Sequence, residues 1–186
     1  MASAISGKLV RGKIVYNDAQ VRLIVYSSKS DELEQHCFEL WVKSFQDYYI
    51  PNENVTVDEQ LVIFGGRCPF RQFIPSKPGK YGIKVWALYD SMTTYVYNMQ
   101  VYTGREEGQN REVNQGQRVV LDLISGLEKS GRNVTCDNFF TSVSLAREFA
   151  KRQMTVLGTI RKNKGELPTK LTETRQTEKH FFRISR

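Results

Sequence analysis

Two aspartates stand where a sheet could bring hard oxygen ligands together. Asp58 lies in Val55-Thr56-Val57-Asp58-Glu59-Gln60-Leu61, just ahead of the apolar run Leu61-Val62-Ile63-Phe64. Asp137 follows Asn133-Val134-Thr135-Cys136 and precedes a helical stretch. If those two strands are neighbours, both carboxylates emerge at adjacent sheet positions. Such a pair suits Mg²⁺ or Mn²⁺. Two such ions can activate a water and stabilise the leaving oxygen of a phosphodiester. Taken singly, Asp137 also reads as a residue that caps the turn into a helix. Glu59 points to the other side of the strand and reads as a solvated or structural partner.

A second group of residues could meet a phosphate backbone. Residues 60–89 contain Arg67, Arg71, Lys77, Lys80 and Lys84 and no acid. Phe70, Phe73 and Tyr81 are interleaved with them, a mixture that suits phosphate contact and base stacking. The aromatics equally suit a core with the charges solvated, and a strand position would turn Lys80 or Lys84 away from the site. The formal net charge is +7. Residues 147–186 hold eleven Lys/Arg and four Asp/Glu, so this stretch carries the whole excess. A basic tail and basic loop behind an acidic stretch at 31–59 match a metal site beside nucleic acid.

The elements that must hold these residues read as follows. Ile14–Tyr16 and Val21–Tyr26 have strand composition. Residues 31–49 read as an amphipathic helix with Leu33, Cys37, Leu40, Trp41, Phe45 and Tyr48 as its apolar stripe. Ser30 is its expected cap, and Pro51 ends it. Residues 61–64, 82–89 and 94–102 read as strands, with Asp90-Ser91-Met92 as a turn. A helix is expected at about 117–129 with Gly131 at its C-terminal end. A strand at 133–136, a helix capped by Ser142 and a strand at 155–160 follow. The first three strands can form a meander, and the later ones, joined through helices, run parallel to the first. A mixed α/β sheet with helices on its faces is the expected packing.

Cys37, Cys68 and Cys136 show neither disulfide nor zinc spacing, so no zinc site is expected. The sequons at Asn54 and Asn133 are expected to be unused, because the N-terminus has no secretory pattern. No apolar run is long enough to span a bilayer.

Longer motifs carry a resemblance. Asp58-Glu59-Gln60-Leu61, Gly66-Arg67-Cys68-Pro69-Phe70-Arg71, Pro75-Ser76-Lys77-Pro78-Gly79-Lys80-Tyr81-Gly82-Ile83-Lys84, Asn133 through Ser142, and Leu157 through Lys164 occur in one order. Together they closely resemble the piggyBac transposase family, from about residue 38 to about 170. The resemblance implies an RNase H-like fold and descent from a cut-and-paste DNA transposase. Such enzymes use three aspartates to hold two Mg²⁺ ions, and act on transposon ends and TTAA target DNA. By motif match, Asp58 is the first aspartate and Asp137 the second. The third lies in a family segment with two glycines and a valine before an Asp, and nothing up to Arg186 matches it. Gly65 stands where relatives often have arginine.

These readings divide the chain into an unassigned segment 1–30, a partial RNase H-like domain 31–164 that is incomplete at the C-terminus, and a basic tail 165–186 that starts an inserted domain. The expected function is DNA binding without catalysis by this stretch; the alternative is a truncated version of an active transposase. A nuclear location and a homodimer complete the expectation.

Overall fold

The structure is a computed structural model that describes residues 8–10, 13–15, 32–104, 112–167 and 182–183, with side chains for 36–104 and 112–167. Two short strands, β1 (Lys8–Val10) and β2 (Lys13–Val15), pair with each other as an antiparallel hairpin. The expected strand at 21–26 and the Ser30 cap lie outside the described residues. A helix, α1 (Glu32–Tyr48), precedes the meander β3 (Asn54–Ile63), β4 (Gln72–Phe73), β5 (Tyr81–Asp90) and β6 (Val96–Val101). Then come α2 (Gln115–Leu123), β7 (Asn133–Cys136), α3 (Val143–Lys151), β8 (Thr155–Gly158) and β9 (Phe182–Arg183).

The main sheet has seven strands in the order β4-β5-β3-β7-β8-β9, with β6 on the β4 side of β5. β3 is antiparallel to β5, and β5 to β6. β7 runs parallel to β3, and β8 parallel to β7. Each parallel step is made through a helix, as a crossover requires. This is the expected mixed sheet. Its last strand, β9, pairs antiparallel with β8, so part of the basic tail returns to the sheet.

Alternation along the strands makes two cores. Val55 and Val57 of β3, Trp86 and Leu88 of β5, and Val134 and Cys136 of β7 bury against α2 and α3. The opposite side chains of the meander, among them Val62, Ile83, Val85 and Ala87, bury with Val42 and Phe45 of α1. Burial at this density excludes water from both faces of β5, which is why Tyr81–Asp90 reads as an almost continuous apolar run.

Three expectations are corrected. The stripe of α1 is Phe38, Trp41, Val42 and Phe45, whereas Leu40 and Tyr48 are 53% and 72% exposed. Trp41 and Phe45 are common to both readings, and the larger rings nearer the sheet decide the rotation. The second helix ends at Leu123, because Gly126 adopts φ 86° and turns the chain before Gly131 is reached. Leu127 is nevertheless buried, through the turn that follows. Finally, Asp58 does not precede the first core strand but lies inside it, since β3 begins at Asn54.

Candidate functional site

The parallel pairing of β3 with β7 sets the site. Val55 is opposite Val134, Thr56 opposite Thr135 and Val57 opposite Cys136. One step further along both strands stand Asp58 and Asp137. Paired strands lie about 4.8 Å apart, so the two carboxylates leave the sheet from neighbouring positions. Side chains alternate across a strand: Val57 and Cys136 point into the α2/α3 core, Asp58 leaves on the opposite face, and Asp137 stands exposed at the first position past the end of β7.

That face is covered at one end and open at the other. α1 packs against β6, leaving the β3–β7–β8 end lined by Thr56, Gln60, Asn133, Thr135, Thr155 and Leu157, all partly exposed, while Asp58 and Asp137 are exposed. Thr155 donates to Asn133 Oδ1 at 3.0 Å across β7–β8.

Each aspartate is fixed by one backbone donor. Asp58 Oδ1 accepts the Glu59 N–H at 2.7 Å, and Asp137 Oδ1 accepts the Phe139 N–H at 2.8 Å. Thr141 closes the second turn, its N–H and Oγ1 both donating to the Asp137 carbonyl. Both carboxylates act on the same thiol. Burial pushes Cys136 up to about 12, and the negative charges of Asp137 and Asp58 add to that shift. Each strand therefore carries its acid within electrostatic reach of one buried atom.

The segment after β8 lies along the Asp137 turn. Arg161 Nε donates to Asn138 Oδ1 at 2.8 Å, and Lys164 Nζ donates to the Thr141 carbonyl at 2.6 Å. Glu166 accepts the Val143 N–H at 2.8 Å, at the start of α3. Ser142 caps that helix as expected, its Oγ accepting from Leu145 N at 3.0 Å. Burial holds Lys164 below the usual lysine range, with Glu166 and Asp137 opposing and Arg161 reinforcing the shift. A pocket of about 240 Å³ lies here, between Gly116, Phe139, Ser142 and Lys164. No motif of the basic loop predicted this clasp; its signal was the Leu157–Lys164 word.

The five basic residues of the loop and β5 do not share one environment. Arg67 and Lys80 are exposed. Arg71 is exposed too, but donates to the Gly66 carbonyl at 3.1 Å and lies 5.3 Å from the Tyr81 ring centre. Lys77 donates to the Glu59 carbonyl at 3.2 Å. Lys84 lies on the other face of the sheet, beside Trp86 in β5, and pairs with Glu59 at 2.7 Å. Of the aromatics, Phe70 is in the core, whereas Phe73 and Tyr81 are exposed and pack on each other at 4.7 Å.

Asp58 and Asp137 offer hard oxygen donors to a cation such as Mg²⁺, and among the described residues neither Oδ2 takes a hydrogen bond. The donor type and placement fit the ion. Among the described residues, no third His, Cys, Asp or Glu completes a metal-holding group with them.

Comparison with known proteins follows the same outline. A family model described as Transposase IS4 matches residues 25–186. The chain is 30% identical over 120 residues to the human PiggyBac transposable element-derived protein 3, covering 62% of this chain and 20% of that protein. It is also similar to a piggyBac transposase solved by cryo-electron microscopy in a synaptic complex with hairpin DNA. That match has a TM-score of 0.70 and 37% identity, over 87% of this chain and 34% of the transposase. The chain thus spans about a fifth of the curated relative and a third of the solved one.

Proposed function

The chain belongs to the piggyBac-type transposase family, and from that premise we propose that it is a DNA-binding domain descended from a cut-and-paste transposase, without strand cleavage of its own. The observation that supports the reading is the β3–β7 register, which ends with Val57 opposite Cys136, one residue before Asp58 and Asp137, both exposed. A divalent ion there would supply charge neutralisation to a phosphodiester and acidity to a bound water. The chain's own part is to hold the two carboxylates still at the ends of neighbouring strands. Mg²⁺ keeps most of its waters when it binds through one or two carboxylates, so the pair alone is expected to retain the ion weakly without substrate phosphates.

DNA contact falls to exposed cations. Arg67, Arg71 and Lys80 on the loop beyond β3, with Arg161 and Lys162 beyond β8, are the residues we assign to phosphates. Lys77 can contribute from the same loop. Support comes from the solved relative, which is held in a complex with hairpin DNA. TTAA as the target sequence, a homodimer and a nuclear location extend the same reading.

The test is fluorescence anisotropy with a labelled hairpin-ended duplex over a sodium chloride series, followed by incubation with Mn²⁺. Binding is expected to weaken steeply with salt, and the strands are expected to stay intact. Absence of salt-sensitive binding would overturn the DNA-binding reading. Metal-dependent nicking that vanishes in Asp58→Asn would make this stretch an enzyme.

A further inference from the structure

Lys84 is the least exposed of the five cations, with 17% of its side chain open to solvent. Its ammonium pairs with Glu59 Oε2 at 2.7 Å. It also lies 5.2 Å from the ring centres of Trp86 and Tyr102, and 5.5 Å from that of Phe139. Such distances give a cation–π attraction on each ring. An ion pair this largely shielded tolerates loss of one partner less well than an exposed pair, because the remaining charge is only partly solvated.

The two acidic partners of the site are connected through this one cation. The N–H that fixes Asp58 Oδ1 belongs to Glu59, and the N–H that fixes Asp137 Oδ1 belongs to Phe139. Glu59 holds the ammonium by charge, and Phe139 offers it a ring face. The two residues come from different strands and turns, and Lys84 comes from a third, β5. Lys77 grips Glu59 from the loop side, through its carbonyl at 3.2 Å and its carboxylate at 3.9 Å.

We propose that Lys84 is a positioning residue rather than a phosphate contact: from behind the sheet it holds Glu59 and Phe139, and so sets the separation and aim of Asp58 and Asp137. The inference rests on the reading of those two aspartates as the metal-facing pair. Residues that orient metal ligands from behind typically change metal affinity ten- to a hundredfold when replaced.

The experiment is Mn²⁺ titration of the ¹⁵N-labelled chain, following paramagnetic broadening of the Glu59 and Phe139 amides against that of Thr93. In the wild type both amides broaden together while Thr93 does not. Lys84→Met is expected to need about tenfold more Mn²⁺, and Lys84→Arg, which keeps a cation over the rings, to recover most of the loss. DNA binding supplies a second readout. A phosphate contact would lower the salt slope by about 1 when removed, whereas Lys84→Met is expected to leave the slope of the wild type. An unchanged Mn²⁺ response in Lys84→Met, or a reduced salt slope, overturns the proposal. If Lys84→Met does not fold, Glu59→Gln takes its place. That variant keeps shape but loses the charge, so the same tenfold shift is expected and an unchanged response is again fatal. A wild type whose amides ignore Mn²⁺ removes the metal reading and this inference with it, a result separable from the others because no variant is needed to see it.

Discussion

Asp90 ends β5, opposite Val55 of β3, and is fully buried. Its Oδ2 accepts from the Asn52 N–H at 2.7 Å, the Asn52 side-chain amide at 2.9 Å and the Tyr49 hydroxyl at 3.0 Å. Its Oδ1 accepts from the N–H groups of Met92 and Thr93 at 2.8 and 3.0 Å. Asp58, three positions along β3 from Val55, is exposed and among the described residues has a single backbone donor, as has Asp137. One carboxylate is saturated with donors and ties the end of α1 to the β5–β6 turn. The other two keep oxygens available on an open face. On one sheet, the number of protein donors separates a carboxylate that builds the fold from carboxylates that can serve a cation, because a lone pair given to an N–H is not available to a metal.

The comparison breaks most visibly at Asp90. Asp90→Ala orphans several donors at once, and leaving buried polar groups unpaired costs about 1–3 kcal/mol each where water cannot reach them. A loss of about 3 kcal/mol is expected in urea denaturation. The pH dependence has a fixed sign. Burial alone would raise the Asp90 carboxyl, but the bonds from Asn52, Thr93, Met92 and Tyr49 outweigh it and hold the group at about 2. The folded value lies below the unfolded one, so the stabilisation is present above about pH 4 and is lost as pH falls toward 2. It amounts to roughly 2 kcal/mol. Asp90→Asn is expected to flatten stability across that window, and an unchanged acid limb would contradict the assignment.

A smaller loss is expected at Gly158, which packs β8 against the Asp137 turn. A Cβ there would come within 2.2 Å of Thr141 Oγ1 and 2.6 Å of the Cys136 carbonyl. The carbonyl is part of the β7 backbone and cannot step aside. Gly158→Ala is expected to cost about 1–3 kcal/mol, read by thermal or urea unfolding. It should also weaken the Mn²⁺ response at Phe139 more than at Glu59, because the strain enters on the Asp137 side.

Much of this arrangement could be read from residues alone, for identifiable reasons. The apolar run at 82–89, the short strand at 133–136 and the Ser142 cap are local signals, and the structure keeps them, whereas the run at 61–64 marks only the end of a strand that begins at Asn54. The pairing of β3 with β7 was accessible as a consequence of parallel crossovers, and it carries the Asp58–Asp137 neighbourhood. What could not be read depends on the third dimension. Asp90 looked like an ordinary turn residue, since its donors at 49 and 52 lie about forty positions away. Lys84 grouped with the loop cations by spacing, yet strand parity puts it behind the sheet with Trp86. Leu40 and Phe38 both satisfy a helical period, and only packing on the sheet selects Phe38 for the α1 stripe.

The smallest effect on stability is expected where the comparison predicts indifference. Asp58→Asn and Asp137→Asn each remove an exposed charge and keep the shape of the group that accepts the local N–H. Surface substitutions of this kind usually change stability by less than about 0.5 kcal/mol. The two also sit close enough to share influence on Cys136, so removing one negative charge relieves repulsion rather than breaking a bond. Urea midpoints are therefore expected to stay near wild type while the Mn²⁺ broadening disappears. Cys136 gives an internal control. Burial is the larger cause of its raised value, so its thiol should stay unlabelled by maleimide at pH 7.5 in both variants, while the exposed Cys37 reacts. A variant that loses several kcal/mol, or one that exposes Cys136, would show that these carboxylates hold the fold as Asp90 does, and the distinction between the two regions would collapse.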